Sequence, residues 1–404
     1  MKETRISIVV QGRFHAFAMS KAMIEKGSPV QVLTNYPAFI ARRFGLPSSH
    51  VIGCAPLGLL HRYANRWNLV TRFPVLNQIL HQGFSRWSAG HISKTEPVAV
   101  HVFSGVALEL FHELRSFRNP IVRLLVRGSE HIVDQYLHLE QEAQRAGGPI
   151  DKPSPWMVRR ELQEYALADH IVTLSNFARK SFLKRGFAKD KIDLLPLATN
   201  VAQFRPSRDT VDARLSRIRS GKPLQFLCTG SVSLQKGVLD FVKIARALQG
   251  EVRFRWVGNI VSDAMAIVEA NRDIIDFVPR QPENDLPRFY HEMDGYVFTT
   301  IQDGFAVVLA QAKAACLPIV ATENSAAPDM LEDGVTGWTL PIRSPDLFIE
   351  RLRAWHNDRD SMARMVENLW QIDDTRDWPD VADDFIAIVK RAVQIRAAEG
   401  SWAE

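Results

Sequence analysis

The chain has 404 residues, 46% hydrophobic and 24% charged, with a formal net charge of +5. This is an ordinary globular composition, long enough for two domains that each bury a core. Its three cysteines, Cys54, Cys228 and Cys316, are far apart and lack metal spacing, which argues against a disulfide framework and for a reducing, cytoplasmic setting.

Residues 5–10 read as a first strand rather than a signal peptide, 11–15 as a loop and 16–26 as a helix closed by Gly27, with a second strand at 29–34. This βαβ start puts Gly12, Arg13 and His15 in a strand-to-helix loop, where a phosphate or an acceptor can sit; a plain tight turn explains a lone glycine equally well. From residue 26 to 95 there is no Asp or Glu. Arg42, Arg43, Arg62, Arg66, Arg72 and Arg86 alternate there with aromatic side chains such as Tyr63, Trp67 and Phe73. Amphipathic helices over 56–93 carry this stripe. It suits an anionic membrane surface, a lipid phosphate or a nucleic-acid backbone, and the plain alternative is a solvated face.

A strand at 98–103, Ser104-Gly105 and a helix to 116 follow. A strand at 121–126 ends in Arg127-Gly128-Ser129-Glu130-His131, at the end where open α/β sheets bind ligands. Arg127 and His131 are candidates for a donor phosphate or an acceptor hydroxyl; His131 equally suits a cap for the helix running to about 145. Glycines and prolines over 147–155 mark an exposed break. A helix at 159–168, a strand at 171–174, a helix at 177–185 capped by Ser175-Asn176, and a strand at 192–195 lead to a linker at 196–206.

The second half opens with a strand at 224–229, a loop from Gly230 to Lys236-Gly237 and a helix at 238–248. Strands at 252–257 and 274–278 end in Gly258-Asn259 and Pro279-Arg280, and a short helix covers 286–293. Residues 294–300 then form an apolar strand that enters the turn Asp303-Gly304, followed by a helix at 306–315 and a buried parallel strand at 317–322. A helix N-terminus at a strand's carboxyl end offers free N–H groups and positive partial charge to a phosphate. Asp303 stands at its mouth and Gln311 two turns in. Helices at 347–356, 359–371 and 378–398 finish the chain. No apolar run is long enough to span a bilayer.

The run Asp303-Gly304-Phe305 to Gln311, with its Ala-rich helix and Leu317-Pro318-Ile319-Val320, resembles the family-four retaining glycosyltransferases of the GT-B fold. Their mark is an acid, Gly-Phe and a Glu eight positions after the first acid. Pro328-Asp329, Asp333-Gly334, Thr336-Gly337, Ala168-Asp169, Ser175, Pro196 and Phe204-Arg205-Pro206 are further family-like pieces. The chain departs from the pattern where Asp303 and Gln311 replace two Glu, Cys316 a Gly, and Ala326-Ala327 a Gly-Gly. Ser231 stands near the place of the Arg that, with Lys236-Gly237, grips the donor diphosphate.

The resemblance implies an α/β protein, a GT-B pair of doubly wound Rossmann-like domains facing a cleft. Residues 1–206 would bind the acceptor, 207–377 the nucleotide sugar, and a terminal helix at about 378–404 would pack back on the first domain. It implies a metal-independent, cofactor-free, retaining hexosyl transfer from a nucleoside-diphosphate sugar to a glycan or lipid-linked acceptor, in bacterial envelope polysaccharide or lipopolysaccharide synthesis. The expected donor contacts are Gly12, Gly230, Lys236, Arg280, Asp303, Gly304, Phe305, Ala306, Val307 and Gln311. Lys236, Asp303 and His131 are the expected catalytic residues, and Arg13, His15, Arg127 and His131 the acceptor contacts. Arg280 and Arg13 are candidates to replace the absent Arg. No nucleic-acid partner is expected; a peripheral place on the inner face of the plasma membrane is, through residues 26–95. Two other readings stand beside it. One is a non-catalytic sugar-nucleotide-binding or scaffold subunit, which the replaced motif residues favour. The other is an epimerase of the same architecture, for which acids and a His poised across the cleft are not evident.

Overall fold

Seven short apolar strands in the first half pair side by side and all in parallel, in a computed structural model that describes residues 5–67, 69–117, 120–372 and 375–400. They are β1 (Ile6–Val10), β2 (Val30–Thr34), β3 (Val51–Gly53), β4 (Ala99–Phe103), β5 (Val122–Arg127), β6 (His170–Thr173) and β7 (Ile192–Leu194), in the order β3-β2-β1-β4-β5-β6-β7. Six more form a second parallel sheet: β8 (Leu224–Thr229), β9 (Val252–Val257), β10 (Ile275–Val278), β11 (Gly295–Phe298), β12 (Ile319–Thr322) and β13 (Gly337–Leu340), in the order β10-β9-β8-β11-β12-β13. Helices cover both faces, so the strands read as unbroken apolar runs. The register sets Ile8 between Val32 and His101 in the first sheet, and Tyr296 between Leu227 and Ile319 in the second. Strand order reverses at β1/β4 and at β8/β11. Those two switch points, where ligands sit in open α/β sheets, face each other across the molecule.

The terminal helix Trp378–Gly400 leaves the second sheet and buries Val381, Phe385, Ile388 and Val389 in the first sheet's core, beside Phe17 and Met23. The helix Arg208–Arg219 is not evident from composition, because six of its twelve residues are charged. It packs through Val211, Leu215 and Ile218, and carries a fully buried arginine, Arg214. The Arg214 guanidinium donates to the carbonyls of Tyr290, Met293, Ala315 and Cys316 at 2.8–3.1 Å. Burial still pulls its pKa down to about 10. Two of those carbonyls end the helix Val307–Ala314, where Cys316 takes a left-handed φ of 56°. A glycine would adopt that angle without strain; here the arginine holds the helix end in its place.

Other boundaries shift for local reasons. The helix expected at 159–168 is Pro155–Leu167, because Ser154 accepts from the Met157 amide and Pro155 fills the first helical position, where no donor is needed. The helix expected from Ala306 begins at Val307, since Ala306 is itself left-handed (φ 62°). The linker holds a short helix, Val201–Phe204.

Candidate functional site

The carboxyl ends of the two sheets enclose a cleft of about 630 Å³. Gln11 and His15 follow β1, Ser104 follows β4, and Arg127 ends β5 on one wall; Thr229 and Gly230 end β8, and Phe298 and Asp303 lie at and beyond the end of β11 on the other. The walls touch. A Cβ on Gly304 would lie 2.0 Å from the carbonyl oxygen of Gly128. Ser129 Oγ donates to Gln302 Oε1 beside that contact. Gly304 is therefore required by the approach of the two halves and not by a left-handed angle.

Lys236 reaches the cleft from the turn before the helix Val238–Ala247. Gly237 makes this turn possible: its φ is 74°, and a Cβ there would meet the Thr299 carbonyl oxygen at 1.8 Å. The Lys236 ammonium pairs with Asp303 Oδ2. The other oxygen, Oδ1, accepts from the amides of Ala306 at 2.9 Å and Phe305 at 3.3 Å. Those two N–H groups, expected to face a phosphate, are engaged within the chain by the carboxylate expected to bind sugar. Asp303 holds the turn before the helix Val307–Ala314 and neutralises Lys236 at once.

Behind this pair lies a smaller cavity of about 370 Å³, lined by Gly230, Ser231, Arg280, Gln311 and Arg13 among others. Gln311 is 8% exposed, and its Oε1 accepts from the Tyr290 hydroxyl at 2.8 Å. That hydroxyl also meets Thr229 Oγ1 at 2.7 Å. Gln311 thus has its oxygen spoken for and its amide nitrogen left for the cavity. Arg13 lies 4.5 Å from the Phe44 ring centroid and 3.5 Å from a Glu283 oxygen, so it bridges the two halves. Gly12 shapes the loop: its N–H donates to Asn35 Oδ1 at 2.8 Å and its carbonyl accepts from Thr34 at 2.9 Å. Gly230 accepts from the Trp256 indole at 3.0 Å.

On the opposite wall, Arg127 is buried and held by Glu161 at 3.1 Å, and it donates to Gln135. His15 lies in the cleft with its ring 4.8 Å from that of Phe103. Burial lowers its pKa to about 4, so it is neutral near pH 7, and its buried Nε2 has no hydrogen-bond partner in the protein. His131 does not belong with these. Its ring is 2% exposed and packs against Tyr165, Phe182 and Phe187 at 5.0–5.9 Å between centroids. Nδ1 accepts from the Val133 amide at 3.3 Å and caps the helix Ile132–Ala146. Burial, then Arg185, lowers its pKa to about 4. The expected catalytic and acceptor role gives way to the capping one, because an aromatic cage closes the ring off from the cleft.

Three cleft residues outside the flagged loops had no sequence signal: His81, Met157 and Glu161. They come from two helices, Pro74–Thr95 and Pro155–Leu167, that only the fold brings to the cleft. Among the described residues no group of three His, Cys, Asp or Glu side chains is placed to hold a metal, and no helix is long and apolar enough to cross a membrane.

Residues 213–370 match the family model described as glycosyl transferases group 1. The putative colanic acid biosynthesis glycosyltransferase WcaL of Escherichia coli K12 is 20% identical over 219 residues, which is 51% of this chain and 52% of that protein. The chain spans about half the length of the curated relatives it matches. Among solved structures, Anabaena HepE in complex with UDP aligns with a TM-score of 0.68 at 11% identity, over 96% of this chain and 100% of that one. WaaG, a glycosyltransferase involved in lipopolysaccharide biosynthesis, aligns with a TM-score of 0.63 at 15% identity, over 95% and 99%.

Proposed function

We propose, from the match of residues 213–370 to the group 1 glycosyl transferase model and from the GT-B fold, that this chain transfers a sugar from a nucleoside-diphosphate sugar with retention of configuration and without a metal. The observation that carries the reading is the Lys236–Asp303 pair at the meeting of the two switch points. An incoming diphosphate takes the ammonium from Asp303 and frees that carboxylate oxygen for donor-sugar hydroxyls. A charge-assisted contact of this kind in a closed cleft stabilises the leaving diphosphate as the bond from the anomeric carbon breaks. The Gln311 amide nitrogen donates to the ribose from the adjoining cavity. His15 stays neutral and lines the cleft on the acceptor side.

The acceptor half of the proposal is a glycan or lipid-linked glycan of a bacterial envelope polysaccharide, with the protein on the cytoplasmic face of the membrane. WcaL and WaaG are named for such pathways. The surface supports this: Leu59, Tyr63, Trp67, Phe73 and Val75 are 53–65% exposed on and between helices that carry Arg62, Arg66 and Arg72 and no acid. Basic and apolar groups together suit an anionic leaflet.

A thermal-shift screen of nucleotide sugars, followed by radiolabelled transfer, tests the reading. Stabilisation by one donor and sugar-dependent release of its nucleoside diphosphate are expected. Donor binding with neither transfer nor hydrolysis would leave a non-catalytic subunit instead; absence of binding would end the proposal.

A further inference from the structure

A second cavity of about 820 Å³ opens beside the cleft. Met157 lines both, Gln235 in its wall precedes Lys236, and Gln135 in its wall accepts from the cleft residue Arg127. The two spaces therefore adjoin across Met157, next to the cleft residues Lys236 and Arg127. The wall is unusual in chemistry: four side-chain amides, Asn77, Gln78, Gln135 and Gln235, surround the half-buried indole of Trp156. The Asn77 and Gln78 amides make no hydrogen bond within the protein among the described residues, although both are half-buried. Trp156 is held in place by the His81 ring at 6.1 Å and the Arg160 guanidinium at 5.3 Å. The charges are few and balanced. Lys152 pairs with Glu140, and Asp151 is exposed.

Resting on the transferase reading above, we infer that this cavity is the acceptor subsite and that it takes a neutral glycan chain of several sugar units. An amide both donates and accepts, as a sugar hydroxyl does, and it does so without charge. An indole face covers the apolar face of a pyranose ring and keeps a polar edge for water or a hydroxyl. An anionic glycan would instead call for unpaired cations, and the one lysine in the wall is neutralised. Gln235 in the wall precedes Lys236, and Pro74, also in the wall, starts the helix Pro74–Thr95 next to exposed Phe73, Val75 and Ile79. A chain lying between these two would have its growing end at the donor and its carrier end at the apolar, basic surface.

The test uses saturation-transfer NMR on the full chain with UDP present. The probes are maltotetraose, mannotetraose and galactotetraose, with tetragalacturonate as the anionic comparator. At least one neutral tetrasaccharide should receive saturation and tetragalacturonate should not. Asn77→Leu with Gln78→Leu removes two amides from a half-exposed helix face without touching the packed ring, and should weaken that probe by about tenfold or more; Trp156→Ala should abolish the signal. Silence from all neutral probes, preference for the anionic one, or an undiminished signal in the double variant overturns the inference. Thermal shift by UDP, GDP and ADP in the same samples keeps the two readings apart: no shift from any of them in the wild type defeats the donor site, while a shift beside a negative NMR result defeats the groove alone.

Discussion

Gly304→Ala isolates the contact between the two walls of the cleft. The added Cβ would stand 2.0 Å from the Gly128 carbonyl oxygen and 2.7 Å from the Ser129 Cα, and both obstacles are backbone. Carbon and carbonyl oxygen stay about 3.3 Å or more apart even in close contacts, so the walls must part by roughly 1 Å. No side chain can swing away to absorb the change. Misplacement of reacting groups by 1 Å costs about 100-fold in rate, or about 2.7 kcal/mol of transition-state stabilisation. Lys236, Gly230 and Gln311 all belong to the second half, so nucleotide affinity should hold while transfer falls. Initial rates of transfer, calorimetric titration with nucleoside diphosphate and a melting curve are the three measurements. A variant that folds with the wild-type melting temperature and still transfers at full rate would refute the argument that this approach positions the reaction.

Lys236→Ala should lower transfer by about 2–4 kcal/mol, on the scale of other donors to developing negative charge, with little loss of stability because Asp303 keeps its two backbone amides; a near-normal rate would remove Lys236 from the chemistry. Gln311→Leu should weaken nucleotide binding by about 1–3 kcal/mol through unpaired ribose hydroxyls, and it should lower the melting temperature because the Tyr290 hydroxyl loses one of its two partners; calorimetry and a thermal melt separate the two effects. His131 is held neutral, with a folded pKa near 4 below an unfolded value of 6.5, so its contribution to stability is present above pH 6.5 and is lost as pH falls toward 4, at up to about 1.4 kcal/mol per pH unit. His131→Phe should make that part of the melting-temperature profile less steep, with buried His15, His81 and His101 still contributing in the same direction, lose about 1 kcal/mol with the cap, and leave transfer at neutral pH intact; lost transfer would restore His131 to the site. Arg62→Glu with Arg66→Glu should release the protein from anionic vesicles, each arginine contributing about 1 kcal/mol near the surface, without touching donor binding; equal sedimentation with neutral vesicles would leave the stripe as a solvated face.

The alternation of apolar runs with helical segments made both sheets legible, because buried parallel strands are apolar throughout and glycine turns mark their ends. Lys236, Asp303 and Gln311 were singled out by the family resemblance of their loops, and the fold brings the first two to the cleft and the third to the cavity beside it. What stayed hidden depends on pairs distant in sequence. Nothing local in the charged helix Arg208–Arg219 reveals that Arg214 would end up buried against the carbonyls of Ala315 and Cys316. His131 carries the same difficulty in reverse. A histidine after a strand looks functional until Phe182 and Phe187, some fifty residues on, are seen to enclose it. The amides of Asn77, Gln78, Gln135 and Gln235 carry no motif, and they share a wall only because three helices and a loop converge there.

Charge balance explains how a cleft with Ser231 in place of an arginine can still suit a diphosphate. Lys236 is paired with Asp303, Arg127 with Glu161 and Arg13 with Glu283. A cation already matched inside the protein gives an incoming anion little net attraction unless its partner can leave cheaply. Asp303 is the partner best placed to do so, since its other oxygen remains held by the Phe305 and Ala306 amides when Lys236 turns away. Glu161 is not: it also accepts from the Tyr165 hydroxyl at 2.8 Å and is buried with Arg127. The Arg13–Glu283 contact is long and exposed, and such a pair is worth little. Arg280, in the wall of the smaller cavity beside Ser231, has no ion-pair partner among the described residues. The charge that an arginine at 231 would have supplied is therefore expected from Lys236 once it leaves Asp303, and from Arg280, with Arg13 free to follow.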